Sequence, residues 1–170
     1  HHRSSAASDV YKRQVYNTHM AIWFKNYTLE DIKIPPTGID EKLGIEIVEI
    51  GSDYIICKMP VDERTKQPMG LLHGGASCVL AESTASIAAF LVIDPKKKSV
   101  VGLNLLANHL KSARNGFVYA TAKPKHIGKS TSVWDVQITN EEDQLISQIS
   151  FTAMHKDCLL YTSPSPRDTL

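Results

Sequence analysis

The reading turns on "LLHGGASCVLAES", Leu71–Ser83, and on the run that carries it to Val92. Val79, Leu80, Ile87, Ala88, Leu91 and Val92 recur at helical spacing with Ala, Ser and Thr between them. That pattern predicts one long helix over about Gly75–Val92. Small side chains around most of a helix suggest close approach by neighbours on nearly all sides. One carboxylate, Glu82, stands in the middle of this run, and a glycine pair, Gly74–Gly75, precedes it. Glycine lets backbone approach a ligand, and the first N–H groups of a helix lack intrahelical partners.

On either side of the helix, strands dominate. "IEIVEIG" ends in Gly51 and "DYIICKMPV" follows a tight Gly-Ser link, which reads as a hairpin. "RTKQPMG" is a polar loop leading into the helix. After "IDPKKKS" come four strand candidates: "SVVGLNLLANHL", "GFVYATAKP", "STSVWDVQITN" and "LISQISFTAMH". In the third, Trp134, Val136 and Ile138 alternate with Val133, Asp135 and Gln137, and "NEEDQ" turns it into the fourth. Upstream, Thr28 is an N-cap candidate for short helical turns that Pro35 and Pro36 interrupt. Hairpin, helix and four successive strands segregate along the chain. This argues α+β with a mainly antiparallel sheet, curved strongly enough to wrap the helix.

With 170 residues, 42% of them hydrophobic, the chain is sized for one domain with a real core. A net charge of +1 points to neither nucleic acid nor an acidic membrane surface. No apolar run approaches the roughly 20 residues of a membrane span, and no charged-then-apolar signal peptide opens the sequence. Cys57, Cys78 and Cys158 lack metal-like spacing, and the first two lie in apolar segments as small buried thiols would. The expectation is a cytoplasmic domain with no metal or redox cofactor.

The two ends do not resemble the middle. "DVYKRQ" can be written GATGTGTATAAGAGACAG and "CLLYTS" can be written TGTCTCTTATACACATCT, and apart from the end bases these strings are reverse complements. They look like the arms of a sequencing adapter read through in frame. Residues 1–19 and 158–170 are therefore expected to be non-native tails around a native body at 20–157, with Met20 a plausible true start.

"TKQPMGLLHGGASCVLAES" and "NLLANHLKSARNGFVYATAKPKHIGKSTSVWDVQI" together resemble the hotdog-fold acyl-CoA thioesterases, in the branch acting on 4-hydroxybenzoyl-CoA and 1,4-dihydroxy-2-naphthoyl-CoA. The likeness runs from about Leu43 to Met154. It implies a curved sheet around a central helix, an edge-to-edge homodimer with shared active sites, and commonly a homotetramer. The substrate would be an acyl-CoA, and neither nucleic acid nor membrane is implied as a partner.

The resemblance also suggests residue roles. The Gly74 N–H would polarise the thioester oxygen, with Gly75 beside it. Glu82 would act as nucleophile or as general base on water, and the sequence leaves both routes open. Ser86, four residues on, shares its helix face. Burial would raise the Glu82 pKa and a facing helix N-terminus would lower it. Gln67 matches a position that orients the thioester or the water. His73 would bond near the thioester, or else cap the turn. His109 would line the acyl pocket, or else be a strand residue satisfied by its neighbours.

Lys111, Arg114, Lys123, Lys125, His126 and Lys129 form a basic stretch that could steer the phosphates of coenzyme A. Within it, His126, Gly128, Lys129 and Ser130 form the better subset. Taken alone, Glu82 reads as solvent-facing and the glycine pair as a tight turn. Two further readings stay open: a hydratase or dehydratase of the same fold, and a non-catalytic acyl-CoA binder.

Overall fold

The computed structural model describes residues 20–33 and 35–158. The expected tails lie outside this range except for Cys158. Two short helices come first, α1 (Leu29–Ile32) and α2 (Gly38–Leu43), on either side of Pro35 and Pro36. Thr28 caps α1 as expected: its hydroxyl accepts the Asp31 N–H at 3.3 Å, and Asp31 accepts the Thr28 N–H at 2.8 Å. Those bonds hold the Asp31 carboxyl below its ordinary pKa.

A hairpin follows, β1 (Glu46–Ile50) and β2 (Ile55–Pro60), then the long helix α3 (Gly74–Leu91). The chain ends in β3 (Lys98–His109), β4 (Phe117–Ile127), β5 (Thr131–Asn140) and β6 (Leu145–Asp157). All strand neighbours run antiparallel, in the order β1-β2-β4-β5-β6-β3. The curved sheet around one helix is the architecture the resemblance implies.

Burial follows the alternation read from the sequence. Trp134, Val136 and Ile138 face the core with Ile149 and Phe151, while Gln137 points out. The "NEEDQ" turn closes with Asn140 Oδ1 accepting the N–H groups of Glu142 and Gln144, and Asp143 takes a left-handed φ of 58°. The helix buries Ala76, Leu80, Ala81, Thr84, Ala85, Ala88 and Ala89 against the sheet. Its small residues set that close approach. At 18 residues α3 is in fact long and apolar enough to cross a membrane, contrary to the expectation, but half of it is buried inside this domain. An apolar core helix passes the same test as a membrane span.

The thiols read as expected. Cys57 is fully buried, and burial pushes its pKa up to about 12. Cys78 is half-buried and also raised, mainly by burial, and all three cysteines are free.

Two features position the site. β3 is an edge strand, paired with β6 on one side only, and a bulge between Gly102 and Asn104 interrupts that pairing. Its far end, His109, lies opposite Ser147 of β6, beside the N-terminus of α3.

Candidate active site

The loop before α3 is held by its own backbone. The Thr65 hydroxyl is buried and donates to the Pro60 carbonyl at 2.7 Å, and the His73 N–H donates to Thr65 O at 2.8 Å. Leu72 N–H reaches Ala113 O at 2.8 Å, and Gln67 N–H reaches Leu71 O at 2.8 Å. Gln67 Oε1 accepts the Met69 N–H, which fixes the amide's orientation and leaves its NH2 end as the donor side.

This loop delivers the chain to the helix mouth. His73 is the N-cap, and its Nδ1 accepts the Gly75 N–H at 2.8 Å. His73 thus caps the helix through Nδ1. The Gly74 N–H, first in the helix, has no acceptor among the described residues. Glycine at 74 lets His109 come close: a Cβ there would lie 2.7 Å from His109 Nε2 and displace the ring.

A cleft of about 350 Å³ opens at this point, walled by Gln67, Gly74, Ser77, His109, Lys111 and Ser147. The fold thus brings Gln67, Gly74 and His109 together on one cleft. His109 Nδ1 lies 2.9 Å from the Ser147 hydroxyl, so the ring is held on one side and faces Gly74 on the other. Sequence reasoning missed Ser77 and Ser147. Both are polar side chains on core-facing positions, and in "LISQISFTAMH" Ser147 falls in the inward row with Ile149, Phe151 and Ala153. That misfit was the available signal.

Glu82 is not in this cleft. Eight residues along α3 place it about 12 Å from Gly74. Its carboxylate rests against β3, where a Cβ on Gly102 would come within 2.7 Å of Oε1. It is exposed in the single chain, so its own protomer does not supply the burial expected for it. Beside it, the Ser83 hydroxyl donates to Asp40 Oδ1 at 2.7 Å and pins α2 to the helix.

Ser86 lies one turn beyond Glu82 on the wall of a second, larger cavity of about 700 Å³. Tyr27, Ile32, Ile45, Ile47, Ile87 and Phe90 make that cavity mainly apolar.

The basic stretch disperses. Lys125 pairs with Asp135 at 3.1 Å, Lys123 lies over the Tyr54 ring, and Arg114 is exposed. Only Lys111 borders the cleft. The turn carrying His126, Gly128, Lys129 and Ser130 lies at the other end of β5, about 20 Å from Ser147 along the sheet. Glycine at 128 fits a tight turn, since a Cβ would meet His126 Nε2 at 2.7 Å and Thr131 O at 3.0 Å.

Comparison with known proteins identifies the family and the fold. The profile of the thioesterase superfamily matches residues 69–147. The 1,4-dihydroxy-2-naphthoyl-CoA hydrolase of Escherichia coli is 46% identical over 125 residues, covering 73% of this chain and 91% of the relative. A solved thioesterase from Haemophilus influenzae superposes with a TM-score of 0.78 at 40% identity, covering 84% of this chain and 99% of its own. Two solved forms of a Staphylococcus aureus thioesterase (TM-score 0.69, 40% identity, 71% of this chain) carry alanine for a glutamine in one and for a glutamate in the other. They cover 99% and 100% of that protein, and the two replaced positions are 15 residues apart. The chain belongs to the thioesterase superfamily and is a hotdog-fold hydrolase of that class.

Proposed function

We propose that the chain hydrolyses an aromatic acyl-CoA thioester, of the 1,4-dihydroxy-2-naphthoyl-CoA kind, at sites shared between two protomers. In each site the Gly74 N–H of one copy polarises the carbonyl. Glu82 of the other copy attacks it, or takes a proton from the attacking water. By the first route, loss of the C–S bond leaves an acyl–Glu82 anhydride that water then hydrolyses. By the second, the water oxygen adds to the acyl carbon directly and the C–S bond breaks. Either way the products are the free acid and the coenzyme A thiol, whose proton comes from the water. A donor at a helix N-terminus suits the oxygen on which negative charge grows.

The observation that carries the shared site is the pair of marks on β3. Glu82 rests against Gly102 and Gly74 rests against His109, at opposite ends of one unpaired edge. That edge exposes Leu103 (50%) and Leu106 (62%), an apolar strip that invites pairing. In a two-fold antiparallel pair of β3 strands, residues facing each other must lie on the same side of the sheet. Gly102 and His109 both turn inward. With the bulge at Leu103 counted as one extra residue, a two-fold at Leu106 sets Gly102 of one copy opposite His109 of the other. Glu82 then meets the other copy's Gly74 cleft and gains the burial its own chain withholds. The same pairing brings the His126–Ser130 turn, which lies near the Gly102 end of the sheet, toward the second copy's cleft and the phosphates of coenzyme A.

Further support comes from spacing: Gln67 and Glu82 stand 15 apart, as do the two positions replaced in the Staphylococcus aureus protein. The large apolar cavity beside Ser86 has room for a ring system, and the Escherichia coli relative's name supplies the naphthoyl class.

The test is thiol release from a panel of aryl and alkyl CoA esters by wild type and Glu82→Gln. The wild type should hydrolyse aryl esters, and the variant should bind them while losing turnover by about 10³ or more. Binding without hydrolysis by the wild type would leave a binder in place of an enzyme.

A further inference from the structure

We propose that Ser147 is a positioning residue: it holds His109 as the Nε2–H tautomer, giving the cleft a second N–H donor beside Gly74. The proposal rests on the reading of this cleft as the thioester site.

Ser147 is 1% exposed and lies in a row that is otherwise apolar at its core-facing positions up to His155: Ile149, Phe151 and Ala153. A serine there gives up packing volume that Val or Ile would supply. Its hydroxyl meets one side-chain partner, His109 Nδ1, at 2.9 Å across the β3–β6 ladder.

The direction of that bond follows from satisfaction. If Nδ1 carried the proton and donated to Ser147, the serine O–H, 1% exposed, would have no acceptor among the described residues. An unmade bond of that kind is costly in a buried place. If instead the serine O–H donates to Nδ1, every group is satisfied. The neutral ring then carries its proton on Nε2, the nitrogen against Gly74.

The Nε2–H and the Gly74 residue thus meet at the helix mouth, where a Gly74 Cβ would lie 2.7 Å from Nε2. In this scheme the ring N–H joins the Gly74 N–H as a donor. Two donors of fixed direction on one oxygen resemble an oxyanion hole more closely than one donor does. Ser147 touches no substrate in this scheme and acts through the ring.

Two measurements test it. The first needs no variant: nitrogen-15 NMR of the wild-type enzyme labelled at histidine, assigned with His109→Ala. The neutral His109 ring should show its proton on Nε2, and a proton on Nδ1 overturns the proposal.

The second is a double-mutant cycle on hydrolysis. Ser147→Ala should lower kcat about tenfold with KM little changed, a part of the 10²–10³ that losing a donor itself costs. In a His109→Ala background, Ser147→Ala should add less than about twofold, because there is no ring left to orient. An equal loss in both backgrounds would mean that Ser147 serves packing alone. If the wild type shows no hydrolysis, the proposed function fails, while the NMR result still decides the tautomer.

Discussion

The two halves of α3 make unlike surroundings. At its N-terminal end the cleft is small and mixed in character: Gly74, His109, Ser147 and Gln67 are each fixed by a named bond or a close approach, beside Leu71, Leu72, Leu110 and Ile146. Toward its C-terminal end the cavity is about twice as large, mainly apolar, and bordered by the short helices and the Pro35–Pro36 segment. Fixed donors suit the one part of a thioester that never varies, its carbonyl. A roomy apolar wall suits the part that does vary, the acyl group. Glu82 stands between them, four residues from Ser86 and eight from Gly74, so it can serve both only if a second copy supplies the other end.

The strongest way to break this contrast is at its junction. Glu82→Gln should abolish turnover for every acyl group alike, by about 10³ or more, measured as thiol release under saturating substrate. Next comes the N-terminal end: Gly74→Val must push His109 aside, since even a Cβ would sit 2.7 Å from Nε2. Its kcat should fall about 10²–10³ across the whole panel, with no change in acyl preference.

The apolar end should behave the other way. Ile87→Trp fills the large cavity and should cut kcat/KM for naphthoyl esters about tenfold, while short acyl esters change little. A uniform loss would show that the cavity is not the acyl pocket.

The smallest effect lies away from both ends. His155 is buried with its Nε2 2.9 Å from the Ser132 hydroxyl, which in turn accepts the Trp134 indole N–H at 2.9 Å. Burial, then nearby Lys98, lowers the His155 pKa from 6.5. A lowered histidine binds protons more readily unfolded than folded. Its stabilising contribution is thus complete above about 6.5 and is lost as pH falls through the folded value. The Tm of wild type should drop across that window more than that of His155→Gln, while activity ratios between acyl groups stay constant.

Much of the fold was legible because its signals are local. The alternation in "STSVWDVQITN", the helical spacing around Leu80 and Ile87, and the Thr28–Asp31 box each depend on residues close in sequence. The Gly74 environment was legible in part: the glycine announced a close approach, but not that His109 is what approaches. Ser147 was missed because its partner lies 38 residues away, across a ladder whose order β6-β3 no local pattern gives. The place of Glu82 was read two ways, as solvent-facing when taken alone and as facing a second copy by the resemblance, and the single chain leaves that face open. A property that belongs to an assembly is not written in one strand's periodicity.

The central claim is that each working site takes its amide from one copy and its carboxylate from another. Co-expressing Glu82→Gln with Gly74→Val tests it, provided each variant alone is inactive. Random assembly should place an intact Gly74 opposite an intact Glu82 in about one quarter of sites, so the mixed pool should recover about a quarter of wild-type thiol release. A mixed pool no more active than its two parents would contradict the account.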